Sequence, residues 1–279
     1  MYMDTLLKPQ SIIKLLSPGT INRIAAGEVI EHPAAVVKEL TENAIDAGAS
    51  EISIHIEAGG RNLISIRDNG RGMNAQELGL SVERHATSKL SDETLVNITS
   101  LGFRGEALPS IGAVARLQIT SLTKDSDEAY EICVEGGLKH PVKPAAMPSY
   151  GTKVVVRDLF FATPARLKFL KSEKSETDTI TKVIKKLALA YSHISFDYYI
   201  EGKRVLNLTS ADFTTRITQI LGEEFYKNAL EVNYQFACGE FTGLISLPTY
   251  NKRHATDQFF LVNHRPVQDK LLSTSLRVA

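Results

Sequence analysis

Cysteine is scarce. The chain has two in 279 residues, Cys133 and Cys238, far apart and not in a CxxC pair. This excludes a disulfide framework and a cysteine-rich zinc site, and it fits a reducing compartment. Long apolar runs are also missing, since none approaches the roughly 20 residues needed to span a bilayer. The opening MYMDTLLKPQSIIKLL has neither a basic n-region nor an unbroken apolar core, so no secretory signal is expected and the expected address is cytoplasmic. Net charge is absent too. Lys+Arg 32 balances Asp+Glu 32, so nucleic-acid contact would need a local patch rather than a polycationic chain. The patterns GxxxxGK[ST], HExxH and GxSxG do not occur, which removes a Walker-type phosphate loop, a zinc protease and a hydrolase elbow. There is no internal repeat and no low-complexity tract.

What is present suits one large domain or two modest ones with a real core, at 43% hydrophobic and 23% charged residues. Residues 21–48 read as helical with a Gly/Pro interruption. Pro33 suits a first turn, and Val36, Val37, Leu40, Ala44 and Ala47 form one apolar stripe, with Gly48 as the stop. Residues 51–57 and 63–68 alternate apolar and polar around Gly59-Gly60, which predicts an antiparallel hairpin. The Gly-, Ser- and Thr-rich segment 70–110 reads as a binding loop between short helical pieces. Further strands are expected at 114–121, 130–135 and 153–159, and a long helix at 173–190. After Thr209-Ser210 a fresh helix and strands at 229–247 and 258–263 suggest a second domain, too short here for an independent core and expected to continue beyond this span. The fold class is α+β, a two-layer sandwich on a mixed, largely antiparallel sheet.

Glu39 and Asn43 are spaced i, i+4 and leave one helical face, with Asp46 at i+7 extending the line. A carboxylate can polarise water as a general base, and an amide oxygen can ligate Mg²⁺ without adding charge. Standing alone, the same line also fits a solvated helix face. Asp68-Asn69-Gly70-Arg71-Gly72 follows the second strand of the hairpin. A carboxylate there can accept the amino proton of adenine while the glycines admit a flat base, and a tight Asn-Gly turn explains the same residues. Gly70–Ala75 also fits the dinucleotide pattern GxGxxA, but on a hairpin arm rather than in a parallel β-α-β unit, so a dehydrogenase is not expected. His85-Ala86-Thr87-Ser88-Lys89 offers two hydroxyls and an ammonium, and Leu101–Leu108 places two glycines before a helix start, together a possible phosphate cradle. No histidine pairs with another at metal-ligand spacing, and His85 reads as structural. Residues 151–210 carry 11 Lys/Arg against 6 Asp/Glu, a local excess that suits either DNA phosphate or a solvated helix face.

Together these blocks resemble the bacterial MutL family, the mismatch-repair branch of the GHKL ATPases. The resemblance is carried by VKEL (37–40) with Glu42-Asn43-Ala44 and DAGA (46–49), DNGRG (68–72), HATSK (85–89), GFRGEAL (102–108) and GTKVVVRDLFFATPARLKFL (151–170). It implies a GHKL ATP-binding domain over residues 1–210 and a ribosomal-protein-like, transducer-like α/β domain from 211 to 279. Under it Glu39 activates the attacking water, Asn43 holds Mg²⁺, and Asp68 reads adenine beside Gly70 and Gly72. Thr152 supports the adenine contact through water. Thr87, Ser88 and Lys89, with Leu101, Gly102, Phe103, Arg104 and Gly105, form a lid over the phosphates. Val262-Asn263-His264-Arg265 is similar to the family's VNGR stretch, which makes Arg265 a DNA-backbone contact.

The implied activity is Mg²⁺-dependent hydrolysis of ATP that switches dimerisation of two copies around DNA. The implied partners are DNA, a mismatch sensor of the MutS kind, and a downstream nuclease or helicase, with no membrane and no nuclease site in this chain. The family's γ-phosphate lysine and C-terminal dimerisation region are expected outside this span, so binding of ATP with poor turnover is the expectation for it. His140-Pro141-Val142-Lys143 is only superficially similar to that lysine stretch, and Lys143 is not assigned its role. Roughly ten residues precede the family's usual start, as a start-site choice or a disordered arm would. The alternatives are a nucleotide-gated clamp in which hydrolysis is incidental and a chaperone-like GHKL binding module.

Overall fold

The structure is a computed structural model and describes residues 13–89, 100–102, 105–237, 239–250, 258–267 and 269–278. Phe103 and Arg104 therefore lie outside the described residues. Helix α1 (Pro18–Val29) and helix α2 (Pro33–Asp46) each begin with proline in the first turn, where its missing N–H costs nothing. His32 caps α2, its Nδ1 accepting the Ala35 N–H at 3.2 Å. Val36, Val37, Leu40 and Ala44 bury the apolar stripe, while Ala47 is only half-buried because it caps the helix before Gly48 turns out at φ 75°.

The hairpin of β1 (Glu51–Glu57) and β2 (Leu63–Asp68) is antiparallel, with Ile54 opposite Ile66. Then come α3 (Ala75–Ser81), α4 (Ala107–Val114), β3 (Arg116–Leu122), β4 (Ala129–Glu135), β5 (Leu138–Lys139), β6 (Lys143–Ala145) and β7 (Gly151–Arg157). After α5 (Pro164–Leu167), α6 occupies Glu173–Ala190, the span its apolar spacing predicts, and β8 (Ser195–Ile200) and β9 (Lys203–Leu208) follow. The strand expected from 114 starts at Arg116, since Val114 still closes α4. The strand expected to 159 stops at Arg157, because Asp158 and Phe160 adopt positive φ in a turn.

Among the described residues these strands form one nine-stranded sheet, ordered β5-β4-β3-β7-β2-β1-β8-β9 with β6 beside β4. Every pairing is antiparallel except β1 with β8. One sheet face carries Ile52, Ile54, Ile56, Ile64, Ile66, Leu117, Ile119 and Val156, which share one core with α2, Ile111 of α4, and Ile180 and Ile184 of α6. This is the expected two-layer sandwich. A buried Leu40→Ala here would cost about 2–5 kcal/mol.

The chain continues with α7 (Phe213–Leu221), α8 (Glu223–Lys227), the hairpin of β10 (Ala229–Phe236) and β11 (Gly239–Ser246), the short pair β12 (Phe260–Val262) and β13 (Arg265–Val267), and α9 (Lys270–Val278). Helix α7 is tied to α6 and to the ends of β8 and β9. Arg216 is fully buried and donates to the carbonyls of Ala188, Ser192, Ile194 and Thr209 at 2.6–2.9 Å.

Candidate active site

The site gathers where α2 ends. Residues Glu39, Asn43 and Asp46 sit on one unbroken helix, so their i, i+4 and i+7 spacing places them on one face. Lys38 Nζ donates to Glu39 at 3.2 Å and to Glu42 at 2.8 Å, which ties the Glu39 carboxylate to the helix surface. Burial pushes the Glu42 carboxyl up, with Lys38 opposing. For Lys38, burial pulls the ammonium down, but the bonds to Glu42 and Glu39 outweigh it and its pKa is raised.

Asn43 and Asp46 meet Lys89, Leu101 and Gly102 directly. Lys89 Nζ donates to Asn43 Oδ1 at 2.7 Å and to Asp46 Oδ2 at 2.5 Å. The other side of the same carboxylate receives backbone donors, Leu101 N–H on Oδ1 at 3.0 Å and Gly102 N–H on Oδ2 at 3.2 Å. Sequence reasoning placed Asp46 on the polar line but assigned it no role. Its partners at 101–102 come from a loop that only the fold returns to it.

Around this cluster Ser88 and Thr87 are held by the chain itself. Ser88 Oγ accepts from Arg71 at 3.2 Å, and Thr87 Oγ1 accepts the Lys89 N–H at 3.2 Å. The two ends of the segment close on each other. His85 N–H donates to the Gly105 carbonyl at 3.2 Å, and Arg84 and His85 both reach Glu106. Gly105 is required there, with φ +61° and the Ala86 carbonyl oxygen 2.5 Å from where a Cβ would stand.

The second part of the site is the end of β2. Asp68 is 7% exposed and lies opposite Thr152 on β7. Burial raises its carboxyl from 3.8 to about 6, although the N–H groups of Gly70 and Thr152 donate to it and oppose the shift. The Gly70 N–H bond is 2.8 Å. Ser121, which the sequence did not single out, completes this end. Its fully buried hydroxyl accepts the Met73 N–H at 2.8 Å, donates to the Gly151 carbonyl at 3.0 Å and lies 2.9 Å from the Thr152 hydroxyl. The two ends adjoin, since Arg71 N–H donates to the Ala47 carbonyl at 3.0 Å.

Gly72 answers to packing inside the chain: at φ +73° its missing Cβ would stand 2.2 Å from the Leu122 carbonyl oxygen. A Cβ on Gly70 would stand 2.9 Å from Ala47. The GxGxxA stretch opens the short α3 from an antiparallel strand, as expected of a pattern without dinucleotide function.

Arg265 is half-buried, and its Nη2 donates to the Ser100 carbonyl at 2.9 Å, next to the Leu101 N–H that faces Asp46. Arg166, in the basic stretch, is committed to the end of α1, donating to the Gly27 and Ile30 carbonyls at 2.5 and 2.7 Å. Among the described residues no group of three or more His, Cys, Asp or Glu side chains could hold a metal ion by itself. No described helix is long and apolar enough to cross a membrane.

Comparison with known proteins fits this geometry. Residues 30–144 match the family described as histidine kinase-, DNA gyrase B- and HSP90-like ATPases, and residues 217–279 match the DNA mismatch repair protein C-terminal domain. The ATPase domain of Aquifex aeolicus MutL, solved in complex with ADP, is similar at a TM-score of 0.71 and 31% identity, over 90% of this chain and 88% of that one. The chain belongs to the MutL family. The MutL proteins of Rickettsia bellii (strain OSU 85-389) and Azorhizobium caulinodans are 50% and 52% identical to it, each over 96% of this chain but 44% and 43% of their own length. The chain thus spans less than half the length of these MutL relatives. A solved N-terminal domain of a DNA repair protein is similar at a TM-score of 0.78 and 26% identity, over 91% of this chain and 80% of that one.

Proposed function

We propose that the chain binds ATP together with Mg²⁺ and hydrolyses it, and that in the longer protein this cycle is the switch of DNA mismatch repair. The observation that carries the reading is the meeting of the Lys89 ammonium and the Leu101 and Gly102 N–H groups on the Asp46 carboxylate, with the same ammonium on Asn43 Oδ1, beside the buried Asp68. Cationic and N–H donors converging on one anion make a cradle that suits phosphate. Asp68 would accept the adenine amino proton, with Thr152 and Ser121 supporting that edge, and Glu39 would orient and deprotonate the attacking water.

The oxygen donors at Asn43 and Asp46 already hold a cation, the Lys89 ammonium, and so fit a hard metal ion. Asn43 would hold Mg²⁺, which when bound supplies charge neutralisation on the phosphates. The lid residues Thr87, Ser88, Lys89, Leu101, Gly102 and Gly105 would close over the phosphates. Phe103 and Arg104 belong to the same proposed lid. Hydrolysis then rests on positioning and electrostatics, with no covalent enzyme intermediate.

For the longer protein the reading extends to ATP-dependent homodimerisation around DNA and to coupling between a mismatch sensor of the MutS kind and a downstream nuclease or helicase in the cytoplasm. Residues 1–210 would form the ATP-binding domain and 211–279 a transducer-like one, a division supported by the separate match over 217–279. Arg265 is retained as a DNA-backbone contact. Arg265→Glu should weaken DNA binding and flatten its salt dependence, and unchanged values of both would place the contact elsewhere.

The test of the core proposal is calorimetric binding of a non-hydrolysable ATP analogue with Mg²⁺ to the wild type and to Asp68→Ala. Loss of binding in the variant supports the adenine site, and undiminished binding overturns it. Glu39→Ala should keep analogue binding and lose turnover. If repair survives that loss, the clamp reading replaces the switch.

A further inference from the structure

We propose that Lys89 is an internal cation lock: without nucleotide, its ammonium holds the position on Asn43 that Mg²⁺ takes with nucleotide bound. The inference rests on the reading of Asn43 as the metal ligand and goes beyond it.

The geometry departs from an ordinary surface ion pair in two respects. Lys89 and Asp46 side chains are only 20% and 9% exposed. The ammonium also does not stop at the carboxylate but reaches the neutral amide oxygen of Asn43 at 2.7 Å. An amide oxygen aimed into a site offers a cation a ligand without adding charge, and here a cation of the chain already holds it. Mg²⁺ at about 2.0–2.1 Å from the same oxygen would lie against an ammonium of like charge, so the two exclude each other.

The Lys89 side chain can leave without its backbone moving, since the Arg71–Ser88 bond and the Lys89 N–H on Thr87 Oγ1 do not involve the ammonium. Once it leaves, Asp46 still holds Leu101 and Gly102 through their N–H groups. Nucleotide phosphates offer the ammonium an alternative partner, which free Mg²⁺ does not. The metal therefore enters with the nucleotide and binds poorly alone.

The test uses Mn²⁺ alone as probe, with free metal counted by electron paramagnetic resonance and nucleotide left out. The wild type should bind weakly, Lys89→Met should bind at least tenfold more tightly, and adding Asn43→Ala should remove that gain. Lys38→Met, which also removes one lysine charge beside the same helix face, should bring no comparable gain. An equal gain there would reduce the effect to general electrostatics and overturn the lock. So would a Lys89→Met protein, folded by circular dichroism, that binds Mn²⁺ no better than the wild type; Lys89→Gln provides the second variant should Lys89→Met not fold. The Asn43 reading is checked separately by Mn²⁺ binding in the presence of the ATP analogue. Asn43→Ala should weaken it. If it does while Lys89→Met gains nothing, the lock fails and the ligand stands; if it does not, both fail.

Discussion

Thr152 sits directly opposite Asp68 across the β2–β7 pairing, and its backbone N–H donates to the Asp68 carboxylate. With the Gly70 N–H at 2.8 Å, two donors face a carboxylate that burial nevertheless holds at about 6. Desolvation wins because hydration of the charge is almost wholly lost and two neutral donors replace only part of it.

Nucleotide affinity should therefore depend on acid. Under the proposed contact the adenine amino group would donate to the ionised form, and the carboxylate has little hydration left for the base to remove. Below about pH 6 the free site is mostly protonated, so affinity should fall up to tenfold per pH unit, with a proton released on binding. Above that pH the free site is already ionised and affinity should level off. Calorimetry from pH 5 to 8 in two buffers of different ionisation enthalpy reads both effects. Affinity that rose on acidification would remove Asp68 from adenine recognition.

The same shift makes a stability prediction of the opposite slope to that of an aspartate whose carboxylate is stabilised by an ion pair. The folded carboxyl lies above its ordinary 3.8, so the folded state binds more proton and stability is lost as pH rises through about 6. A shift of about two units corresponds to on the order of 3 kcal/mol. Asp68→Asn should therefore flatten the stability difference between pH 4.5 and 7.5, whatever its constant cost at Thr152. Urea unfolding at the two pH values measures it, and an unchanged difference would assign the slope to other groups.

Gly72→Ala separates packing from base recognition. At φ +73°, with the Leu122 carbonyl oxygen 2.2 Å from the new Cβ, the backbone of β3 or of the loop must move. Loss of more than about 1–3 kcal/mol of stability is expected, read as a lower urea midpoint. A variant of full stability that lost only nucleotide would support the expected role of the glycine in admitting the base.

Much of the frame was legible because it is local. The stripe of α2, the alternation of β1 and β2, and all of α6 are set by side-chain periodicity within one segment. The parallel pairing of β1 with β8 was not, since more than a hundred residues separate the partners and no local pattern encodes the register. At the site, the Glu39–Asn43 spacing could be read from the helix alone. Thr152 entered only through the family resemblance, because its place beside Asp68 is set by strand register. Ser121 reads as one more alternating strand residue, although its buried hydroxyl joins Met73, Gly151 and Thr152.

Arg216 is the sharpest case of a residue whose sequence context hides its role, since TTRITQ reads as an exposed helix face. Its guanidinium is fully buried, lies 5.8 Å from the Phe196 ring and also donates to Gln219 at 3.0 Å. The four carbonyls it satisfies come from the end of α6, the approach to β8 and the residue after β9. It therefore fixes α7 to the sandwich that carries the site. Arg216→Met keeps much of the volume but strips those carbonyls of a charged donor, and should cost more than about 3 kcal/mol. Arg216→Lys should recover less than half of that, because one ammonium has three donors for four carbonyls on different sides. Urea unfolding of both variants decides the matter. Full rescue by lysine would mean that charge alone, rather than the fork of the guanidinium, holds the two parts together.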